Sequence, residues 1–302
     1  MRSIQHPGST SAERVRAVAT QTRQVEIDLP PGRSLLDAVR FALEPFAAKS
    51  AVLNLYGGAF FPFAYALPAL SKTSEHAVYF SDRFDALEPV QLARASVTYG
   101  QRDGHPWLHC HAAWAQSDGT RCSGHVLPEH AVVLETVSAS VCLLDSAQFQ
   151  VRHDEETRFA LLKPEVVNTE LILSAAPTAL AVRLSPNVDV CTAIEDICRE
   201  HGIKQATLHG GVGSTVGAAF DDGRIVQPFV TEVLIRDGRI VCGSDGAPRA
   251  LIDVDLVDFS GGVHRGRLAR GLNPVLVTFE LVLVPVVAVH AQSTFQRERE
   301  QT

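Results

Sequence analysis

The sequence predicts two similar modules in tandem, each mixing β-strands with one or two helices. The chain has 302 residues, which is longer than one ordinary domain of about 100 to 150 residues. Shifting the sequence by 142 positions aligns residues 104–144 with residues 246–286 without a gap, and glycines and prolines coincide. A repeat of this length indicates that one structural unit occurs twice.

A helix is predicted near the start of each copy. Residues 29–39 resemble residues 184–194, and each segment reads as the end of a strand that runs into an amphipathic helix. The pair Gly57-Gly58 corresponds to Gly210-Gly211 at a longer offset. The first copy has therefore gained residues between Gly58 and Gly104.

A β-hairpin is predicted downstream of that insertion. Residues 107–116 alternate in the manner of a strand. The next three residues, 117–119, read as a hairpin loop that closes with Gly119 in a left-handed conformation and pairs Gln116 with Thr120.

This hairpin groups three histidines. His109 and His111 are two residues apart, so both point to the same face of the strand. Counting along the ladder places His125 directly opposite His111 and diagonal to His109. Three imidazoles with one free position are typical of catalytic zinc, so the pattern favours a metal site over surface or hydrogen-bonded core histidines. Cys110 points to the other face and is expected in the core.

These residues resemble the signature of the plants and prokaryotes conserved (PPC) family. The matching segments are Pro106 with His109-Cys-His111, then Asp118-Gly119, then Ser123-Gly124-His125-Val-Leu, where Ser123 replaces the first glycine of the family pattern. The resemblance implies an α/β (α+β) domain that holds a metal through the histidines and is usually trimeric in bacteria and archaea. In land plants the same domain is linked to DNA.

The resemblance and the repeat together predict the domain boundaries. Residues 20–145 form the first PPC-like module, which contains the histidines, and residues 176–290 form the second. Residues 146–175 are interpreted as a charged linker with few turns. Each module is expected to contain a mostly antiparallel or mixed sheet with one or two packed helices.

The second copy has lost the histidines. Leu251, Asp253 and Arg267 occupy the three positions, and the ladder arithmetic predicts an ion pair between Asp253 and Arg267. We therefore expect one metal ion per chain, in the first module.

The second copy retains other parts of the family pattern. These are a glycine-rich strand end over residues 209–215 and the sequence Thr278-Phe-Glu280. Because each copy keeps a different half of the pattern, the site is expected to lie between modules, although drift of the second module into a scaffold stays open. The pocket residues expected from this module are His209, Gly210, Gly211, Gly213 and Ser214. The glycines lack the lysine of a P-loop.

Composition restricts the class of protein. The net charge is −7 and the isoelectric point is about 5.9, whereas DNA-binding domains usually carry a basic stripe. DNA is therefore not expected to be a partner.

The most apolar run, residues 274–291, contains Glu280 and reads as a buried strand, so no membrane association is expected. Six cysteines without clustered spacing favour a reducing cytoplasm.

Two functional hypotheses follow. The first is a zinc-dependent hydrolase or lyase that acts on a small carboxylate-bearing molecule, in which the metal activates water or polarises a carbonyl and Glu280 or Glu135 moves protons. Glu129, His130 and Asp145 are weaker candidates. The second is a non-catalytic, metal-stabilised homotrimeric scaffold, and DNA-associated regulation is a third reading. An open site with a carboxylate within reach favours the enzyme, and a closed four-ligand site favours the scaffold.

Overall fold

The computed structural model describes residues 2–167 and 177–286. The elements of the first range are β1 (Val15–Thr20), β2 (Thr22–Leu29), α1 (Leu35–Leu43), a 3-10 turn (Glu44–Phe46), β3 (Ala51–Tyr56), β4 (Ala59–Phe60), β5 (Ala64–Ala66), β6 (Pro68–Leu70), β7 (Val78–Phe80), β8 (Phe84–Asp85), β9 (Val90–Arg102), β10 (His105–Ala115), β11 (Arg121–Val126), β12 (Val133–Glu135), β13 (Val137–Leu144), β14 (Ala147–His153) and β15 (Ala160–Val166). Those of the second range are β16 (Ala179–Leu184), α2 (Val190–Glu200), β17 (Ala206–Ala219), β18 (Ile225–Cys242), β19 (Pro248–Asp258), β20 (Val263–Arg267) and β21 (Val275–Pro285).

The two halves of the chain contain sheets with the same strand order. In the first sheet the main strands lie in the order β2-β13-β3-β9-β10-β11, and in the second they lie in the order β16-β21-β17-β18-β19-β20. These neighbours are all antiparallel, and in each half one helix follows the first strand of this order. The predicted α+β architecture with mostly antiparallel sheets is confirmed.

Both helices form where the sequence predicts them, and each has a side-chain cap. Ser34 accepts a hydrogen bond from the Asp37 amide at the start of α1, and Asp189 does the same for Thr192 at the start of α2. Such caps satisfy amide groups that the first helical turn leaves free. The apolar face of each helix packs into the core of its own half.

Three strands depart from the predicted boundaries. β1 precedes the first predicted module and pairs antiparallel with β16, so the N-terminal segment extends the second sheet. In the predicted linker, β14 and β15 form a hairpin, and Gln150 of β14 also pairs with Gln101 of β9. The apolar side chains of this hairpin at Phe149, Val151 and Leu162 are buried, which explains why the segment folds onto the sheets. Linker residues 168–175, and the predicted module ends at 176 and 287–290, lie outside the described residues.

The two sheets pack against each other through a shared apolar cluster. It contains Val52 from the first half, Phe149 from the hairpin, and Ala181 and Val282 from the second half. Gly210 allows a close approach, because a Cβ atom built there would lie 2.7 Å from Cβ of Val52. This packing places one face of β10 opposite β18, where the histidines lie.

In the part of the chain that the structure describes, neither helix has the length and hydropathy needed to cross a membrane.

Candidate metal centre

The three histidines meet on one face of the β10–β11 hairpin. His111 pairs directly with His125, as the ladder arithmetic predicts, and His109 lies two residues earlier on the same strand. The loop is also as predicted, since the Gln116 amide donates to the Thr120 carbonyl and Gly119 has φ of 82°. One nitrogen from each imidazole lies within 4.8 Å of the others. Cys110 points away and is fully buried.

Two of the rings are oriented by hydrogen bonds that they donate to acceptors in the second half of the chain. Nδ1 of His111 lies 3.0 Å from the Val233 carbonyl and therefore donates to it. Nδ1 of His109 lies 3.1 Å from Oε2 of Glu280 and donates to that carboxylate. A ring nitrogen that donates in this way leaves the other nitrogen as the lone-pair donor, which is the usual second-shell arrangement of metal-binding histidines.

The geometry fits a bound cation. The Nε2 atoms of His109 and His111 lie 3.2 Å apart. With both Nδ1 atoms protonated, these two lone pairs face each other, which is unfavourable unless a cation lies between them. Two ligands of one tetrahedral ion, each at roughly 2.0 to 2.1 Å, would lie about 3.3 Å apart. The buried Nδ1 atom of His125 has no hydrogen-bond partner, so it too is available.

Burial keeps two of these imidazoles neutral. The pKa of His111 is lowered well below its usual value, mainly by burial and further by the neighbouring His109 and His125. Burial, followed by the charge of His109, lowers the pKa of His125 to about 3. Since only the neutral imidazole binds a metal, this environment favours metal binding at neutral pH.

A second carboxyl group, on Glu232 of β18, also faces the cluster. Its Oε1 atom lies 3.8 Å from Nε2 of His111, and its buried Oε2 atom has no hydrogen-bond partner. Burial raises the pKa of Glu232 well above its usual value. The repeat and the histidine motif do not point to this residue, although a lone glutamate in the apolar run 229–235 is a signal of a functional or paired buried charge.

The structure separates the predicted acid–base candidates. Glu280 is 1 % exposed and reaches His109. Glu135 lies in β12, is exposed, and does not line the cavity described below, so the structure does not bring it to the histidines. The weaker candidates Glu129 and His130 are exposed, and Asp145 pairs with Arg23.

The glycine-rich segment contributes less than predicted. Instead of ending a strand, it lies inside β17. Gly213 and Ser214 line the cavity, but His209, Gly210 and Gly211 do not. His209 instead bonds the Thr207 hydroxyl at 3.0 Å. Side chains at Gly210 and Gly211 would collide with Val52 and Ile235, so these two glycines serve packing.

The predicted ion pair of the second half is present. Asp253 pairs with Arg267 on the β19–β20 ladder, and Nη2 of Arg267 lies 2.9 Å from Oδ2 of Asp253. A salt bridge therefore occupies the position that corresponds to the histidines of the first hairpin. Among the described residues, the structure brings three or more potential metal ligands together only at the histidine cluster.

A cavity of about 190 Å³ extends from the histidines. Its polar end contains the three histidines, Glu232 and Glu280. Its walls are mainly apolar and come from both halves of the chain and from the hairpin, through Pro68, Val78, Tyr79, Phe80, Trp107, Leu108, Phe159, Leu161, Leu162, Val230, Leu276 and Val277. The cluster is therefore open to a small molecule on one side.

Comparison with known proteins supports the family resemblance in the second half. Residues 174–287 match the model of the Plants and Prokaryotes Conserved domain, abbreviated PCC or PPC. No curated protein matches the chain.

Three similar solved structures each cover about half of the chain. A metal-containing protein from Archaeoglobus fulgidus is 18% identical, with a TM-score of 0.39, over 49% of this chain and 96% of its own. A plant- and prokaryote-conserved protein from Pyrococcus horikoshii is 13% identical, with a TM-score of 0.38, over 53% and 100%. A protein from Ralstonia eutropha, for which DNA binding has been suggested, is 16% identical, with a TM-score of 0.33, over 46% and 89%.

Proposed function

We propose that this chain carries two PPC modules that jointly form one metal centre, and that it is a zinc-dependent enzyme of the hydrolase or lyase type. Support for the first module comes from the strand order that it shares with the PPC domain of the second half. Support for zinc comes from three imidazole ligands, which suit a borderline first-row ion.

The single observation that carries the proposal is the convergence of both halves on one point beside a cavity. The first half supplies His109, His111 and His125, and the second half supplies Glu232 and Glu280. A purely structural zinc site is usually closed by four protein ligands. An open cavity with a buried, unpartnered carboxyl oxygen next to three ligands fits catalysis better.

The residues of the site divide into three roles. The histidines would hold the ion, which when bound supplies Lewis-acid polarisation of a substrate carbonyl. Glu280 orients His109 through the bond to Nδ1, so it is a positioning residue. Glu232 has an unpartnered oxygen facing the cluster and a raised pKa, which suit a group that takes and returns a proton. We therefore assign the acid–base role to Glu232 in place of Glu280 or Glu135.

We further propose a small-molecule substrate and a homotrimer, as the family resemblance implies. Light scattering at micromolar concentration tests the trimer, and a monomer would contradict it. All six cysteines are free thiols, which supports the proposed cytoplasmic location.

Elemental analysis together with a kinetic comparison tests the proposal. We expect one zinc per chain, and zinc-dependent hydrolysis of at least one member of a panel of p-nitrophenyl esters. Glu232→Gln should reduce kcat at least about 100-fold while metal content is retained. Glu129→Gln, a substitution at an exposed glutamate, is the matched control. Protein without metal after metal-replete purification, or an unchanged rate in Glu232→Gln, would contradict the proposal.

A further inference from the structure

The cavity beside the histidines has a strongly uneven distribution of polar groups. Ser214, Thr231 and Thr278 line it, and each hydroxyl already takes part in a hydrogen bond. Ser214 accepts from the Val277 amide and Thr278 accepts from the Arg183 guanidinium, while Thr231 donates to the Thr215 carbonyl. The buried lining atoms without a partner are Nδ1 of His125 and Oε2 of Glu232, both at the histidine end. A ligand therefore finds unused polar partners at that end.

One wall of the cavity, which begins beside His125, is aromatic. The Phe80 ring packs against the His125 ring with centroids 4.7 Å apart. Phe159 meets Phe80 edge to face at 6.3 Å, and Tyr79 stacks on Phe159 at 5.7 Å. Edge-to-face and stacked geometries are those that aromatic rings prefer, so this wall can also receive a ring from a ligand.

The charge of the cavity also restricts its ligand. No lysine or arginine is among the described residues that line it, whereas Glu232 and Glu280 are. An anionic group would therefore find a positive partner only at the metal. A ligand with a second anionic group at its far end would place that charge against apolar walls without a partner, at a high desolvation cost.

The volume sets the size of the ligand. A cavity of about 150 Å³ lined by apolar side chains accommodates benzene, and this cavity has about 190 Å³. One six-membered ring with a head of two or three atoms fits that space.

Building on the proposed metal-dependent function, we infer that the site takes a small molecule with one metal-binding head and one uncharged aromatic ring, with Phe80 and Phe159 as the residues that select the ring. Phe80 lies in the insertion of the first half, between Gly58 and Gly104, and Phe159 lies in the hairpin between the halves. The specificity-determining wall therefore comes from segments outside the repeated strand order.

Two hydroxamic acids test this inference, because they share a metal-binding head and differ in the ring. Benzohydroxamic acid and acetohydroxamic acid are titrated calorimetrically into zinc-loaded protein. We expect the benzo compound to bind roughly 30-fold more tightly, which is about 2 kcal/mol at 1.4 kcal/mol per tenfold. His111→Ala should abolish the binding of both compounds.

Variants of the aromatic wall complete the test. Phe159→Ala should lower the preference for the ring to below about fivefold while acetohydroxamic acid binds within about twofold of wild type. Phe159→Leu, which keeps an apolar side chain of similar size, should give an intermediate preference. Phe41→Ala, which removes an exposed phenylalanine of α1, is the matched control and should keep the full preference.

The outcomes separate this inference from the proposed function. Equal binding of the two compounds to zinc-loaded protein, or a preference unchanged in Phe159→Ala, would overturn the inference and leave the metal centre standing. Protein that takes up no zinc, or zinc-loaded protein that binds neither compound, would overturn both.

Discussion

His109 and Glu280 are 171 positions apart in the sequence, and Nδ1 of His109 donates to Oε2 of Glu280 across 3.1 Å. The imidazole belongs to the first sheet and the carboxylate to the second. Since Glu280 is 1 % exposed, this contact is formed only when the two halves pack. Metal binding in the first half should therefore depend on residues of the second half.

We expect His111→Ala to lose stoichiometric metal. Nε2 of His111 lies 3.2 Å from Nε2 of His109, and removal of the His111 imidazole leaves one ligand position of the cluster empty. Metal content should fall from one ion per chain to less than about 0.1, with the circular dichroism spectrum unchanged. His130→Ala, at an exposed position, should keep the metal. Two ions per chain in the wild type would contradict the assignment of a single site.

We expect Glu280→Gln to weaken metal binding without removing the site. An amide oxygen accepts the His109 hydrogen bond less strongly than a carboxylate, and loss of such outer partners usually costs about 10- to 100-fold in metal affinity. Competition with a chromogenic chelator measures the change. Glu135→Gln should have wild-type affinity because Glu135 is exposed and does not line the cavity. Similar losses in both variants would refute the positioning role.

The stability of the metal-free protein should fall on acidification because of His125. Its pKa is lowered from 6.5 to about 3 in the folded protein. Between these two pH values the unfolded state therefore binds a proton that the folded state does not bind. This contribution is fully present above pH 6.5 and is lost as the pH falls.

Urea unfolding of chelator-treated protein measures this effect. Between pH 6.5 and pH 5 the free energy of unfolding of the wild type should fall by about 1.5 kcal/mol relative to His125→Gln. Both proteins contain Glu232, whose raised pKa changes the free energy of unfolding with pH in the opposite direction. The comparison between them therefore cancels the contribution of Glu232. A difference between the two proteins that does not change with pH would show that His125 titrates normally.

Gly210→Ala should weaken the packing between the halves. The new methyl group would lie 2.7 Å from Cβ of Val52, and φ of +71° disfavours alanine. We expect a loss of about 2 to 5 kcal/mol in the free energy of unfolding. Gly223→Ala is the matched control, because φ is +88° there but a Cβ atom built at this position meets no neighbouring atom within 4 Å. Equal losses in the two variants would mean that the contact with Val52 is unimportant.

We expect weak or no binding to DNA, from the net charge of −7. Fluorescence anisotropy with a 30-base-pair duplex at 150 mM salt should give a Kd weaker than about 10 µM. Submicromolar binding whose affinity falls steeply with salt would contradict it.

Local patterns were sufficient to predict the β10–β11 and β19–β20 hairpins. The facing positions of His111 and His125, and of Asp253 and Arg267, follow from loop length and the two-residue period of a strand, and the structure confirms both pairs. The hairpin formed by β14 and β15 was missed because its polar residues, such as Arg152 and His153, obscured the buried apolar side chains around Phe149.

The sequence by itself determined the two copies of the strand pattern, the histidine cluster and the loss of that cluster in the second copy, because each depends on neighbours in one hairpin or on a direct repeat. Only the tertiary structure decided that Glu232 faces His111, that Glu280 bonds His109, and that Phe80 and Phe159 line the cavity. These contacts join segments far apart in the chain. Their positions are set by how two apolar sheet faces pack, and no periodicity within a segment encodes that packing.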